Sequence, residues 1–304
     1  MRDGLNGDWC DAPWRTRLLR RLGIPAVLLA PLASRSRKWS KLADDLAHWK
    51  EVRAKVAPEE WRRLTSSYSV LVYHRFAGEL KPGQERIDIS PKRFFRQLCV
   101  LRLLGFRPLP LQELVEFHRG ERNDLPRRRF AITVDDAMAD AIAPLKRAAG
   151  LAPQLYVPTA ELGGSAHWID GEPVADWDEV RDLAAAGVAI GSHTRRHRKL
   201  TQLGSAEREA ELAGSLVELR EQVPEAAPVL AYPNGDHDDA VCEAAAAAGY
   251  EAAFTTEKGR NGAGTDPLRL RRVSVHGTDG APAVLWKVVT GEALPRLWTR
   301  LRRY

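Results

Sequence analysis

The sequence predicts an α/β protein built on a parallel barrel of seven or eight strands, with a helical extension ahead of it. From Tyr68 onward, short apolar segments alternate with segments in which apolar residues recur at helical spacing. This alternation indicates parallel strands joined by right-handed helical crossovers. Seven or eight strands in this order favour a closed barrel over an open sheet. The length of 304 residues suits one such domain with extensions at its ends.

The predicted elements follow one another with recognisable start and stop signals. The first strand is 69–73, and the first barrel helix begins at Pro91 after the capping Ser90 and ends before Gly105. The remaining predicted strands are 129–134, 154–157, 188–191, 229–232, 251–255 and 268–275. The remaining predicted helices are 137–149, a helix from the capping-box pair Asp176 and Glu179 to Gly187, 205–222 and 239–248.

Charge and composition divide the chain into three parts. Residues 1–64 form a basic, mostly helical extension, 65–280 the barrel domain, and 281–304 a basic C-terminal tail. The basic ends favour association with a membrane surface or a polymer synthase, the alternative being solvated tails that bind nothing, and we expect no nucleic-acid partner. The apolar segment 22–33 is shorter than the roughly 20 residues that span a bilayer. We therefore expect a cytoplasmic or membrane-peripheral location rather than secretion.

Ionisable side chains follow two of the predicted strands directly. Asp135 and Asp136 come after strand 129–134, and His193 follows strand 188–191, with His197 four residues later. One carboxylate and two imidazoles can hold a divalent metal with positions left for water, and the second carboxylate can take a proton from that water. Helix capping is the alternative for the aspartates, but two adjacent carboxylates repel each other unless a cation is present.

Other strand ends on the same predicted face also carry polar or aromatic residues. His74 directly follows the first strand, and the turn around Asn234 can present a backbone N–H to a developing oxyanion. Trp168 and Trp177 flank a loop, with sugar stacking and helix packing as the alternatives. Four histidines lie in polar contexts and are expected at the surface: His48, His118, His167 and His237.

These motifs, taken in order, resemble the polysaccharide deacetylase (NodB-homology, carbohydrate esterase family 4) domain over about residues 69–277. The motifs are VLVYHRF, TVDDAMAD, GSHTRRHRKL, LAYPNGDHDD and RLRRVSV. The pair Tyr73-His74 resembles the branch of exopolysaccharide (poly-N-acetylglucosamine) deacetylases. The resemblance implies the distorted (β/α) barrel of that family and one divalent metal, usually zinc, with cobalt or nickel as alternatives.

Roles are implied by position in the matched motifs. Asp135 matches the general base of the family, and Asp136, His193 and His197 match its metal ligands. The backbone N–H of Asn234 matches the group that helps to stabilise the oxyanion.

Two departures from the family pattern leave roles to other residues. The arginine that orients the base is replaced by Ala231, so Arg272 or Arg271 is expected to supply it from the last strand. A Leu-x-x-His motif near the C-terminus is missing, and His74 is the candidate general acid, with His276 as the alternative.

The resemblance implies a metal-dependent hydrolase that removes acetyl groups, chiefly N-acetyl groups, from an amino-sugar polysaccharide or oligosaccharide. Two alternatives stay open on the sequence alone. One is a carbohydrate-binding homologue without turnover, and the other is a C–N hydrolase that acts on a small amide.

Overall fold

A computed structural model describes residues 67–78, 87–122, 125 and 128–293. The predicted N-terminal extension, its apolar segment 22–33 and the arginine-rich residues 296–303 lie outside the described residues. Within the described ranges, no helix is both long and apolar enough to cross a membrane.

The described residues form eleven strands and seven α-helices. The strands are β1 Ser67–Tyr73, β2 Arg107–Pro108, β3 Arg129–Val134, β4 Gln154–Val157, β5 Ser165–Ala166, β6 Glu172–Pro173, β7 Ala189–Ser192, β8 Val229–Ala231, β9 Ala252–Phe254, β10 Asn261–Gly262 and β11 Val273–Ser274. The helices are α1 Pro91–Leu103, α2 Leu111–His118, α3 Ile142–Ala148, α4 Trp177–Ala185, α5 Ser205–Gln222, α6 Asp239–Ala247 and α7 Ala281–Thr290.

Seven parallel strands make the wall of a distorted barrel, as the sequence predicts. Neighbouring strands run in the order β1-β3-β4-β7-β8-β9, and β11 pairs with β1 on its other side. Leu270, just before β11, forms a parallel bridge with Phe254 of β9, so the segment 270–274 links the last strand back to the first. The pairing of this closing strand with β1 is short and involves only two of its residues.

The core fills the barrel interior and the space between the sheet and the outer helices. Inside the barrel, Val70, Ala131 and Phe254 pack together, and α2 covers the amino-terminal ends of the strands with Leu111 and Leu114. A second cluster, between the sheet and the outer helices, contains alternate residues of the same strands. Polar residues lie at the carboxyl ends of the strands, among them Asp135, Asp136 and His193.

The helix α2 and the short strands β2, β5, β6 and β10 were not predicted, and three of the predicted segments differ in the structure. The predicted strand 268–275 is a strand only at Val273–Ser274, because Pro267 and the Asp266 side chain, which accepts from the Leu268 N–H, turn the preceding residues. The helix predicted from 137 begins as α3 only at Ile142, because Asp136 and Ala137 both have positive φ and the chain turns first.

The third segment is 281–290, which the sequence analysis placed in a basic tail. It forms α7, which packs on β1 and α1 with Val284 and Val288 fully buried. The Ser69 hydroxyl of β1 donates to the Val288 carbonyl at 2.8 Å. The barrel domain therefore extends past residue 280, and the arginines of the predicted tail follow this helix.

Candidate functional site

Strand pairing brings the candidate residues to one end of the barrel. β1 and β3 pair in register up to Tyr73 opposite Val134, so His74 and Asp135 follow side by side. The Asp135 N–H donates to the Tyr73 carbonyl at 3.0 Å, which extends this ladder by one residue. On the far side, the His193 N–H donates to the Val157 carbonyl of β4 at 2.8 Å. The carboxyl edge thus gathers residues that lie more than a hundred positions apart.

Three side chains at this edge form a compact donor set. Asp136 Oδ1 lies 3.5 Å from His193 Nε2 and 3.2 Å from His197 Nε2. One donor atom from each residue lies within 4.8 Å of the others. A tetrahedral zinc ion with bonds of about 2.0–2.1 Å needs donors about 3.4 Å apart. The separations therefore fit one small divalent cation held by two imidazoles and a carboxylate.

The backbone of this site departs from regular structure where its ligands lie. Asp136 and His197 have φ of 71° and 55°, a left-handed conformation that costs non-glycine residues about 1–3 kcal/mol. The loop with His197 is held by Glu211 of α5, a buried carboxylate that accepts from the N–H groups of Arg195 and Arg196 at 3.0 and 2.9 Å. Glu211 is a functional candidate that the sequence analysis missed.

Neighbouring groups orient the two imidazoles. His193 Nδ1 lies 2.6 Å from the Ala231 carbonyl and donates to it, which leaves Nε2 free to face Asp136. The His197 ring stacks on the Trp168 indole, with ring centroids 4.3 Å apart and planes 10° apart. Trp168 also donates its indole N–H to Asp136 Oδ1 at 3.0 Å.

The three residues of the donor set change one another's pKa values. Burial alone would raise the pKa of Asp136, but hydrogen bonds from both imidazoles hold that pKa well below its ordinary value. Burial alone would lower the pKa of His193, and the Asp136 carboxylate outweighs it and raises that pKa. For His197, burial prevails and lowers the pKa. Asp136 is therefore an anion in this site, which is the form that binds a cation.

Asp135 has a different partner from its neighbour. Two nitrogens of the Arg272 guanidinium donate to the two Asp135 oxygens, both at 2.7 Å, and Arg272 is only 1% exposed. Burial raises the pKa of Asp135, but the charge of Arg272 outweighs it and holds the pKa below its ordinary value. Of the two arginines expected to replace the one missing at Ala231, the structure thus places Arg272 against the base candidate. Arg271 is exposed, and its backbone N–H donates to the Asn261 side-chain oxygen.

The two candidate acids lie on neighbouring strand ends. His74 follows β1, and its Nδ1 is buried without a hydrogen-bond partner within the described part of the chain. His276 follows β11, which pairs with β1 through Ser274 opposite Val72. The His276 N–H donates to Asp279 Oδ2 at 2.7 Å. Both residues thus follow strands at the edge that carries Asp135, and His74 is next to Asp135 on the neighbouring strand end.

The two remaining predicted residues lie in different environments. Asn234 is exposed in a tight turn directly after β8, with φ of 58°. Trp177 is the first residue of α4 and packs against the outer hydrophobic cluster, which agrees with helix packing rather than sugar stacking.

Comparisons with known proteins agree with this geometry. Residues 122–253 match the family model described as polysaccharide deacetylase. A protein described as the putative polysaccharide deacetylase YxkH of Bacillus subtilis (strain 168) is 24% identical over 209 residues, which is 68% of this chain and 70% of that protein.

Solved structures have the same fold. IcaB from Ammonifex degensii is 26% identical with a TM-score of 0.62, over 72% of this chain and 95% of that one. The Streptococcus pyogenes deacetylase PplD, in complex with acetate, is 21% identical with a TM-score of 0.63, over 74% of this chain and 99% of that one. The strand order and the donor set at the carboxyl edge thus agree with the polysaccharide deacetylase family model that residues 122–253 match.

Proposed function

We propose that this protein is a metal-dependent hydrolase that removes acetyl groups, chiefly N-acetyl groups, from an amino-sugar polysaccharide or oligosaccharide. The observation that carries the proposal is the buried set of Asp136, His193 and His197 with a second carboxylate, Asp135, beside it. A plain carbohydrate-binding surface does not need two adjacent buried aspartates. The Tyr73-His74 pair, which resembles the exopolysaccharide deacetylase branch, supports an exopolysaccharide as the substrate class.

The chemistry follows from the partners of each residue. A divalent cation held by the donor set would supply the positive charge that polarises the acetyl carbonyl and makes water more acidic. Two imidazoles and a carboxylate suit zinc, with cobalt or nickel as alternatives. Asp135, kept anionic by Arg272, accepts a proton from the attacking water.

The remaining steps use the other strand ends. The backbone N–H of Asn234 donates to the oxyanion that forms when water adds to the acetyl carbon. His74 gives a proton to the sugar nitrogen as the C–N bond breaks, which yields acetate and a free amine; His276 is the alternative donor. Histidine suits this step because imidazole is the side chain that most often serves as a general acid or base.

The test compares metal content and acetate release in matched variants. We expect about one zinc, cobalt or nickel ion per wild-type chain by elemental mass spectrometry, and loss of this ion in His193→Ala. Asp135→Asn should keep the ion and lose acetate release from N-acetylglucosamine oligomers, because the base is gone while the ligands stay. Full activity in Asp135→Asn would contradict the assignment. A wild type that binds oligomers but takes up no metal would favour a binding protein, and hydrolysis of small cyclic amides alone would favour the other hydrolase.

We also propose that the basic ends hold the protein at an anionic membrane surface, beside a membrane-bound polymer synthase, in a cytoplasmic or membrane-peripheral location. Residues 67–293 contain 28 basic and 32 acidic side chains, whereas the two ends contain 18 basic and 8 acidic ones. The net charge of +6 therefore comes from the ends. Replacing Arg300, Arg302 and Arg303 by Gln should weaken co-sedimentation with phosphatidylserine vesicles, by about 1 kcal/mol per arginine. Equal binding to neutral phosphatidylcholine vesicles would contradict the proposal.

A further inference from the structure

We infer that Trp168 is a positioning residue of the metal site, fixing both the carboxylate of Asp136 and the ring plane of His197 so that the site binds a cation more tightly. The inference rests on the proposed metal site. It concerns a residue outside the donor set, carried by the short hairpin of β5 and β6 rather than by a barrel strand.

The first contact is the hydrogen bond from the indole to Asp136. Trp168 Nε1 lies 3.0 Å from Oδ1, the same oxygen that faces Nε2 of His193 and Nε2 of His197. A carboxylate oxygen has two lone-pair sites. With one of them used by the indole N–H, the carboxylate cannot rotate freely, and its remaining lone pair is held toward the two imidazoles.

The second contact is the stack on His197. An imidazole rotates about its last side-chain torsion in a broad energy well, so a ligand ring needs an outside restraint. His193 has one in its hydrogen bond to the Ala231 carbonyl. For His197 the flat indole face serves this purpose, at 4.3 Å and 10°. The ring of His193 lies on another side of His197, with centroids 4.9 Å apart and planes at 66°.

The hairpin that carries Trp168 is attached to the segment that carries Asp136. The Ala175 N–H donates to the Ala137 carbonyl at 2.8 Å, and Met138 forms an antiparallel bridge with Val174. The Glu172 carboxylate of the hairpin pairs with Arg75, one residue after His74, at 3.2 Å. The loop that carries the indole is therefore held by contacts with the segments that follow two strands of the site, β1 and β3.

The experiment measures metal affinity in variants that separate the two contacts. Trp168→Phe keeps a flat aromatic face and loses the N–H, Trp168→Ala loses both contacts, and Trp177→Phe is the matched control in helix packing. Apparent Kd for Zn²⁺ is measured by competition with a chromogenic chelator on the full chain. Loss of such supporting contacts typically weakens metal binding about 10- to 100-fold. We expect the Kd to rise about 10-fold for Trp168→Phe, to rise further for Trp168→Ala, and to stay unchanged for Trp177→Phe.

Two spectroscopic readouts distinguish positioning from a general structural role. Because the indole lies against a ligand ring, Co²⁺ binding should quench its fluorescence, and that part of the quenching should vanish in Trp168→Phe and persist in Trp177→Phe. The visible absorption of bound Co²⁺ should also change in the Trp168 variants, because the geometry of the ligands changes.

The measured Kd values separate failure of the inference about Trp168 from failure of the proposed metal site. If wild type binds about one ion per chain and both Trp168 variants stay within twofold of its Kd, the inference is overturned while the proposed metal site stands. If wild type itself binds no ion, the proposed function fails first. Should Trp168→Ala unfold, Trp168→Phe, which keeps most of the packed area, carries the decision alone.

Discussion

The buried pair of Arg272 and Asp135 gives the sharpest test of how this site is built. In Arg272→Met the methionine fills much of the space of the arginine stem, but the Asp135 carboxylate stays buried without its cation. Arg272 also donates to the Thr255 carbonyl at 2.9 Å and to the Thr133 hydroxyl at 3.3 Å, and these acceptors lose a partner too. The arginine thus ties β3 to the closing strand through the barrel interior.

The size of the effect follows from burial. Asp135 and Arg272 are 3% and 1% exposed, so water cannot replace the lost partner. Removing one member of a buried ion pair costs about 3–5 kcal/mol, because an uncompensated charge remains. We therefore expect Arg272→Met to lower the free energy of unfolding by about 4 kcal/mol. Removing both charges, in Asp135→Asn with Arg272→Met, should cost less than the two single changes added together, by about 2 kcal/mol or more.

The free energy of unfolding is measured by urea unfolding, followed by circular dichroism, for wild type, the two single variants and the double variant. A chelator is present throughout so that metal binding does not contribute. Arg272→Lys is the matched control for charge without the two-pronged geometry, and it should fall between wild type and Arg272→Met. If Arg272→Met costs less than about 1 kcal/mol, or if the single changes add within about 0.5 kcal/mol, the pair does not hold the barrel interior as described.

Two further predictions concern a turn and a histidine away from the donor set. At Gly235, with φ of 71°, an added Cβ would lie 2.1 Å from Thr256 Oγ1. Gly235→Ala should therefore lower the free energy of unfolding by about 2 kcal/mol or more, and it should reduce turnover by shifting Asn234. In the control Gly264→Ala, the added Cβ meets nothing within 4 Å, and the free energy of unfolding should change by less than about 0.5 kcal/mol. Equal stability and turnover in the two alanine variants would contradict this account of the turn. Burial lowers the pKa of His118 to about 4, so the folded protein resists its protonation and stability should fall as the pH drops from about 6.5 toward 4. The control is His118→Gln, whose side chain does not titrate. Between pH 7 and pH 5, the free energy of unfolding of wild type should fall by about 1–2 kcal/mol more than that of the variant, after allowance for partial solvent screening. If the urea midpoints of the two proteins shift equally between these pH values, this prediction is contradicted.

The sequence predicts the barrel and the position of the donor set well because both depend on local patterns. Apolar segments and capping residues locate most strands and helices within one or two positions, and polar residues directly after a strand locate the site. The donor set of Asp136, His193 and His197 follows from this, because the carboxyl ends of parallel strands meet at one edge.

The features that the sequence does not predict depend on contacts between distant segments. His118 sits in a polar stretch and was expected at the surface, but α2 turns it against Tyr68, whose hydroxyl lies 2.8 Å from its Nε2. Glu211 looks like any charge on an exposed helix face until the loop of His197 folds over it. Trp168 could be described as a stacking residue or a packing residue, and only the hairpin geometry places its N–H on Asp136.

The two adjacent aspartates show how one dipeptide supplies two different environments. In a regular strand, successive side chains point to opposite faces, so Asp135 would face the barrel interior and Asp136 the outer layer. The positive φ of Asp136 breaks that alternation at the strand end and turns its carboxylate toward His193 and Trp168. Asp135 keeps the interior direction and meets Arg272. The backbone strain at one residue thus separates a carboxylate held by a guanidinium from one held by imidazoles. In the proposed mechanism, the second would hold the cation and the first would accept the proton.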